Sequence, residues 1–279
     1  MSAGESQPLR RLPGRARLAA AGVAALLLAA LAGPWLAPYG PNDLDLERRL
    51  EGPSVAHPLG LDELGRDVLS RLLAGARVSV TVGLSVVGLA GSVGTLLGVF
   101  AGALGGRADA ALRRAIDVFL AFPGILLAIA LVAVLGPALR HVLLALVTIG
   151  WVGYARLARG QTLALAGQEF VLAARAAGVS TARLVFRHLL PNCLPPLIVV
   201  ATVQVAAAIA LEATLSFLGL GLPITEPSLG LLIANGYQYL LSGKYWISFF
   251  PGIALLCTIV SINLVADQLR DVLNPRLSR

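Results

Sequence analysis

The sequence predicts an all-α membrane protein with six transmembrane helices and both termini in the cytoplasm. Three observations carry that expectation. Apolar residues make up 57% of the 279 residues and charged residues only 13%, about half of what a soluble domain carries. The apolar residues gather in uncharged runs, and about 20 such residues cross a bilayer core as helix. The 22 Lys and Arg residues divide unevenly between the segments separating those runs. The same composition excludes a soluble globular fold, which needs more polar surface. It also excludes disorder, which needs few apolar residues and many charges.

Residues 1–17 are expected as a cytoplasmic tail and residues 18–37 as the first span. Arg10, Arg11, Arg15 and Arg17 precede it, as they would a signal peptide. The apolar stretch is too long for one, and no A-x-A site precedes Pro34-Trp35, so it reads as a retained anchor. An extracytoplasmic loop, 38–77, leads to a five-helix core, 78–268. Val78–Leu104 runs 27 residues without a charge. Within it Gly91, Gly94 and Gly98 offer a small-residue face for close helix contact.

Val118–Ala138 is the third span. Val142–Ala155 is only 14 residues long and alone would pass for a buried helix. Among other spans it extends through Arg156 and Arg159, whose stems can snorkel or face protein. Leu194–Leu211 and Trp246–Ala266 complete the six, and 269–279 is a second cytoplasmic tail. The long connections are 157–193 inside and 213–245 outside. In the latter, Leu215–Gly221 and Ser228–Ser242 are expected as outer helices, too short or too broken by Gly and Pro to span.

With the N-terminus inside, fifteen basic residues fall on the cytoplasmic side and seven outside; that bias sets the orientation. The net charge of +7 is scattered between apolar blocks without a long basic run, so it points to a membrane face and not to nucleic acid. Cys193 and Cys257 sit in apolar stretches and are expected as small buried hydrophobes.

Asp117, Glu212 and Asp267 stand at the ends of spans, and His141 and His188 are interfacial. None is at mid-depth, where an ion-coupled carrier places its ionisable groups. A secondary transporter is therefore disfavoured. A membrane enzyme is disfavoured too, because no paired acids, HExxH or His/Cys cluster supports catalysis or a metal site. No GxxxxGK[ST] loop exists, since the single lysine sits in Ser242-Gly243-Lys244-Tyr245. Uphill transport would draw its energy from another polypeptide.

The inner loop is the most informative segment. Phe170–Ala177 has helix-forming composition, Gly178 is a suitable stop, and Thr181–Leu190 restarts a helix that Pro191 closes. Ala173, Ala174 and Ala177 form a small-residue face with arginines around it. Such an element suits a groove on a soluble partner, or equally a helix lying in the membrane interface.

In this segment Ala173, Ala174, Gly178, Leu190 and Pro191 stand as in the E-A-A, three residues, Gly, nine residues, I-x-L-P loop. It resembles the coupling loop of the permease subunits of binding-protein-dependent ABC importers. Leu172 replaces the loop's Glu. His188 replaces its Ile, as in the RH-x-LPN ending of the dipeptide/oligopeptide/nickel branch. Further stretches resemble that branch: His57-Pro58-Leu59-Gly60 through Gly65-Arg66-Asp67 and Ser70-Arg71, Glu212 through Ser216, Gly219 and Gly221, Phe250-Pro251-Gly252, and Arg270 to Arg276. Leu229 and Asn274 depart from the branch, which has Trp and Asp there.

The resemblance, close to the C-type member of the paired permeases, implies a type I ABC importer permease fold in a bacterial inner membrane. It implies a subunit forming half of a pathway for dipeptides or oligopeptides, with nickel or another small solute as the alternative. The implied partners are a homologous second permease, two ATPase subunits, an extracytoplasmic binding protein and lipid. ATP and magnesium would sit on the ATPases, leaving this chain without a cofactor. Ala173, Ala174, Arg175, Gly178, Arg187, His188, Leu190 and Pro191 would dock the ATPase.

Overall fold

The computed structural model describes residues 35–273, together with Gly22, Ala32 and Gly33. The first span, 18–37, lies almost wholly outside the described residues, as do the tail 1–17 and Asn274-Pro275-Arg276. From Val68 onward the described residues form, besides a 3-10 turn at Leu240–Ser242, eight longer helices: α1 (Val68–Leu104), α2 (Gly106–Leu120), α3 (Gly124–Leu135), α4 (Leu139–Ala166), α5 (Glu169–Ala176), α6 (Thr181–Phe217), α7 (Leu229–Tyr237) and α8 (Trp246–Leu273). Among the described residues the only β pairing is a single bridge between Leu61 and Asp67. Four helices, α1, α4, α6 and α8, are long and apolar enough to cross a membrane. The bent pair α2 and α3 makes a fifth candidate.

α1 begins ten residues before the uncharged run. The Asp67 carboxylate caps it by accepting from the Ser70 amide at 2.8 Å. The polar residues Ser70 and Arg71 are therefore helical and fully buried, not part of a loop. At the other end α1 packs along α4 through the glycines expected to make a contact. A Cβ at Gly94 would strike the Trp151 carbonyl and the Tyr154 side chain, and one at Gly98 the Ala155 carbonyl and Ala158. Facing them, Ala155 and Ala158 are fully buried. Small residues on both helices let the backbones approach, which is where dispersion between helices is gained in lipid.

The third span departs from a straight Val118–Ala138 helix. Pro123 breaks the chain, and α2 and α3 meet at 81°. α2 reaches back to Gly106, through a segment expected as a short loop because its charges hide the helix from a search for apolar runs. α4 does continue past Arg156 and Arg159, to Ala166.

Pro191 does not close the inner helix. Val185–Leu189 form a π turn, with the Leu190 amide donating to the Val185 carbonyl, and the helix then runs to Phe217. Proline at the first turn beyond that widened stretch lacks an amide the ladder does not need there. The expected outer helix at Leu215 is the end of α6, and the second one is α7, capped by Ser228. Cys193 is buried as expected, but Cys257 is exposed on α8.

Candidate functional site

The expected site residues assemble in three groups, one at one end of the core and two at the other. The first is the elbow between α4 and α6. α5 ends where the Val179 amide donates to the Ala174 carbonyl and the Gly178 amide to the Arg175 carbonyl. Such a closure puts one residue in the left-handed region. Gly178 takes it, with φ +75°. Val171 is buried and anchors α5, while Leu184, Val185 and Leu189 anchor the start of α6, all in one core with Tyr154 and Ala158. The elbow is therefore held firmly from behind.

Its outer face is open. Ala173, Arg175, Gly178, Arg187 and Pro191 are exposed, and Ala174, His188 and Leu190 are half-buried. No neighbour lies within 4 Å of a Cβ built on Gly178. Phe170, Leu172 and Phe186, not singled out from the sequence, are exposed large apolar side chains on the same segment. Leu172, at the position of the missing Glu, is 51% exposed. The elbow thus presents apolar surface and arginines together, the composition of an interface and not of a solvated loop.

The second group lies where the segment preceding α1 folds over the N-terminus of that helix. The His57 ring Nδ1 is 3.0 Å from the Asp67 Oδ1, and the other Asp67 oxygen holds the Ser70 amide and hydroxyl. The Tyr39 ring lies over His57 with centroids 4.7 Å apart. Asp62 accepts from the Arg66 amide at 2.9 Å and from its Nε at 2.7 Å, and Arg66 also reaches Glu63. The buried Arg71 guanidinium joins through the Pro41 carbonyl at 3.0 Å. Burial first, then the Asp62 charge, push the Glu63 carboxyl above its ordinary range.

Gly60 and Gly65, with φ +77° and +73°, turn this segment. A Cβ at Gly65 would overlap the Asp45 backbone, and one at Gly60 the Trp246 indole. That indole donates to the Leu61 carbonyl at 3.1 Å, tying the segment to α8. The His57-to-Asp67 motif is thus a folded clasp and not an open binding loop.

The Glu212 motif forms a separate node. Glu212 is fully buried near the end of α6, and accepts from Ser216 at 2.7 Å and Ser79 at 3.2 Å. Ser228 donates to Ser216, and the Leu229 amide donates to Ser79. Gly219 takes φ +77° in the turn after α6, and a Cβ on Gly221 would overlap Ser216. Ser79 carries no motif of its own in the sequence, and only the fold brings it and Ser228 to Glu212. Among the described residues no group of His, Cys, Asp and Glu is placed to hold a metal ion.

Comparison with known proteins gives a consistent answer. Residues 94–279 match the model of the family described as "Binding-protein-dependent transport system inner membrane component". The "Probable D,D-dipeptide transport system permease protein DdpC" of Escherichia coli is 45% identical over 251 residues, 90% of this chain and 84% of the relative. The "Di/tripeptide transport system permease protein DppC" of Pseudomonas aeruginosa is 41% identical, over 90% of this chain and 85% of the relative. Among solved structures, a chain of the MetNI methionine ABC transporter in an inward-facing conformation shares the fold, with TM-score 0.58 and 20% identity. That likeness covers 73% of this chain and 96% of the other. The chain belongs to the family of binding-protein-dependent transport system inner membrane components.

Proposed function

We propose that the protein is the permease subunit of an ATP-driven importer, forming half of a pathway for dipeptides or oligopeptides. A second permease supplies the other half, two ATPase subunits attach inside, and an extracytoplasmic binding protein delivers the solute. In this reading the chain has six spans, counting 18–37 and the bent α2–α3 pair, with both termini cytoplasmic. The arginine bias supports that orientation. The dipeptide and tripeptide transport for which the relatives are named supports the peptide cargo.

One observation carries the mechanism: the rigidly backed, open-faced elbow around Gly178. ATP-driven closure of the ATPases would move two such elbows together. α6 is continuous from Thr181 to Phe217, so displacement at its inner end passes along one rod. Near its outer end stands Glu212, which accepts from Ser79 of α1, and the same Ser79 oxygen accepts the amide that opens α7. The membrane helices then switch between two packings, since close-packed contacts such as Gly94 on Trp151 do not deform continuously.

The test is reconstitution of the chain with its partner subunits in proteoliposomes. Labelled dipeptide should accumulate only when ATP and the binding protein are both supplied. Accumulation driven by an ion gradient, with the ATPases absent, would overturn the reading.

A further inference from the structure

A groove of about 500 Å³ runs between α1, α2 and α4, walled by Leu97 and Leu104 of α1, Ala108, Ala111 and Ala115 of α2, and Trp151 of α4. α2 is held in place along the floor of the groove, where Leu112, which also lines it, and Ile116 pack on Ala101, Val152 and Ala155. Arg107, Ala111 and Arg114 follow one another at i, i+4 and i+7, so two arginines stand along the rim of the groove. Both are exposed.

The charges nearby are paired differently. Asp109 is held by Arg159 through two hydrogen bonds and also faces Arg113 at 3.3 Å. Among the described residues Arg107 and Arg114 have no ion pair and no side-chain hydrogen bond. Arg107 also sits in the first turn of α2, where the helix dipole opposes a cation. An apolar slot therefore lies beside two arginines that no carboxylate pairs among the described residues, Asp117 standing exposed one turn beyond Arg114 without an ion pair to it.

We propose that this groove binds an anionic phospholipid, with an acyl chain along Leu97, Leu104 and the α2 alanines and the phosphate between Arg107 and Arg114. A zwitterionic lipid would fill the slot but leave the arginines without a net counter-charge. A soluble anion would match the arginines and leave the slot empty. Arg114 stands two turns into α2 and reaches a headgroup phosphate by extending its stem along the helix. The choice of leaflet rests on the orientation proposed above, which turns this end to the cytoplasm. There, basic clefts between membrane helices attract anionic headgroups.

The test uses the assembled transporter, extracted into mild detergent from vesicles of equal parts phosphatidylglycerol and phosphatidylcholine, with retained lipid counted by native mass spectrometry. The wild type should retain phosphatidylglycerol preferentially. R107Q/R114Q should lower that preference on the order of 30-fold, as two guanidiniums near an anionic surface contribute. A111W, which keeps both arginines and fills the slot, should also lose the retained lipid.

Equal retention of the two lipids by the wild type would overturn the proposal, as would unchanged retention in R107Q/R114Q. So would a photo-crosslinker in place of Ala111 that captures the partner permease and not lipid. Lipid retention is read without transport. A preparation that imports nothing but keeps its phosphatidylglycerol would count against the proposed function alone.

Discussion

Ser79 of α1 donates its hydroxyl to the Glu212 carboxylate of α6 at 3.2 Å, across 133 positions of sequence. The same serine oxygen accepts the Leu229 amide that opens α7. One hydroxyl therefore joins two membrane helices and α7, the short helix between α6 and α8, and every participant is fully buried. Buried polar groups are costly unless satisfied, so removing the centre of such a node costs more than any one of its bonds.

Replacing Glu212 with Ala should destabilise the solubilised protein by about 2–4 kcal/mol, because it strands the Ser79 and Ser216 hydroxyls and leaves a cavity. E212Q keeps the shape and an acceptor oxygen and should cost less than half of that. Thermal unfolding of the purified complex checks both. Equal melting of the two variants would show that the node does not hold α1, α6 and α7 together.

Gly178 separates stability from coupling. A β-branched residue at φ +75° costs about 1–2 kcal/mol of backbone strain. No neighbour is close enough to clash, so the cost is conformational. G178V should insert into the membrane and assemble, yet import at least about tenfold less peptide per ATP hydrolysed. Uptake and phosphate release measured on the same proteoliposomes give that ratio.

The α1–α4 seam should tolerate no side chain at Gly94. G94L must push the Trp151 carbonyl and Tyr154 away, which overpacking makes worth about 1–3 kcal/mol or more. G88L should be near neutral, because nothing lies within 4 Å of its Cβ. Comparing expression and melting of the two variants tests whether the glycine run is a packing face with a definite side.

Asp109 and Arg159 hold the start of α2 against α4. Their side chains are 12% and 21% exposed, so partial solvation limits the pair to about 1 kcal/mol. D109N should lower stability by about that amount, and a double-mutant cycle with R159Q should return a coupling energy of the same size. Additive effects would mean that the pair contributes nothing beyond its separate groups.

Sequence patterning foretold these elements unevenly, for physical reasons. Gly178 was legible because a helix stop with an αL residue favours glycine. The glycine face of α1 was legible because small residues at helical spacing have few other uses in lipid. α2 was not, since five charged residues between Arg107 and Asp117 read as a loop until they are placed on a helix with Leu112 and Ile116 inward. Pro191 misled because a π turn upstream removes the penalty that a helix-interior proline carries. Ser79 was invisible, since a lone serine announces nothing until a distant partner such as Glu212 is brought beside it.

The central claim is that the elbow around Gly178 is the surface gripped by a separate ATP-hydrolysing subunit. Its most direct test is photo-crosslinking in intact cells with p-benzoylphenylalanine in place of Ala173, an exposed position on α5. The cross-linked product should contain the ATPase subunit. A product containing the extracytoplasmic binding protein, or labelling of that position by a reagent that does not cross the membrane, would contradict it.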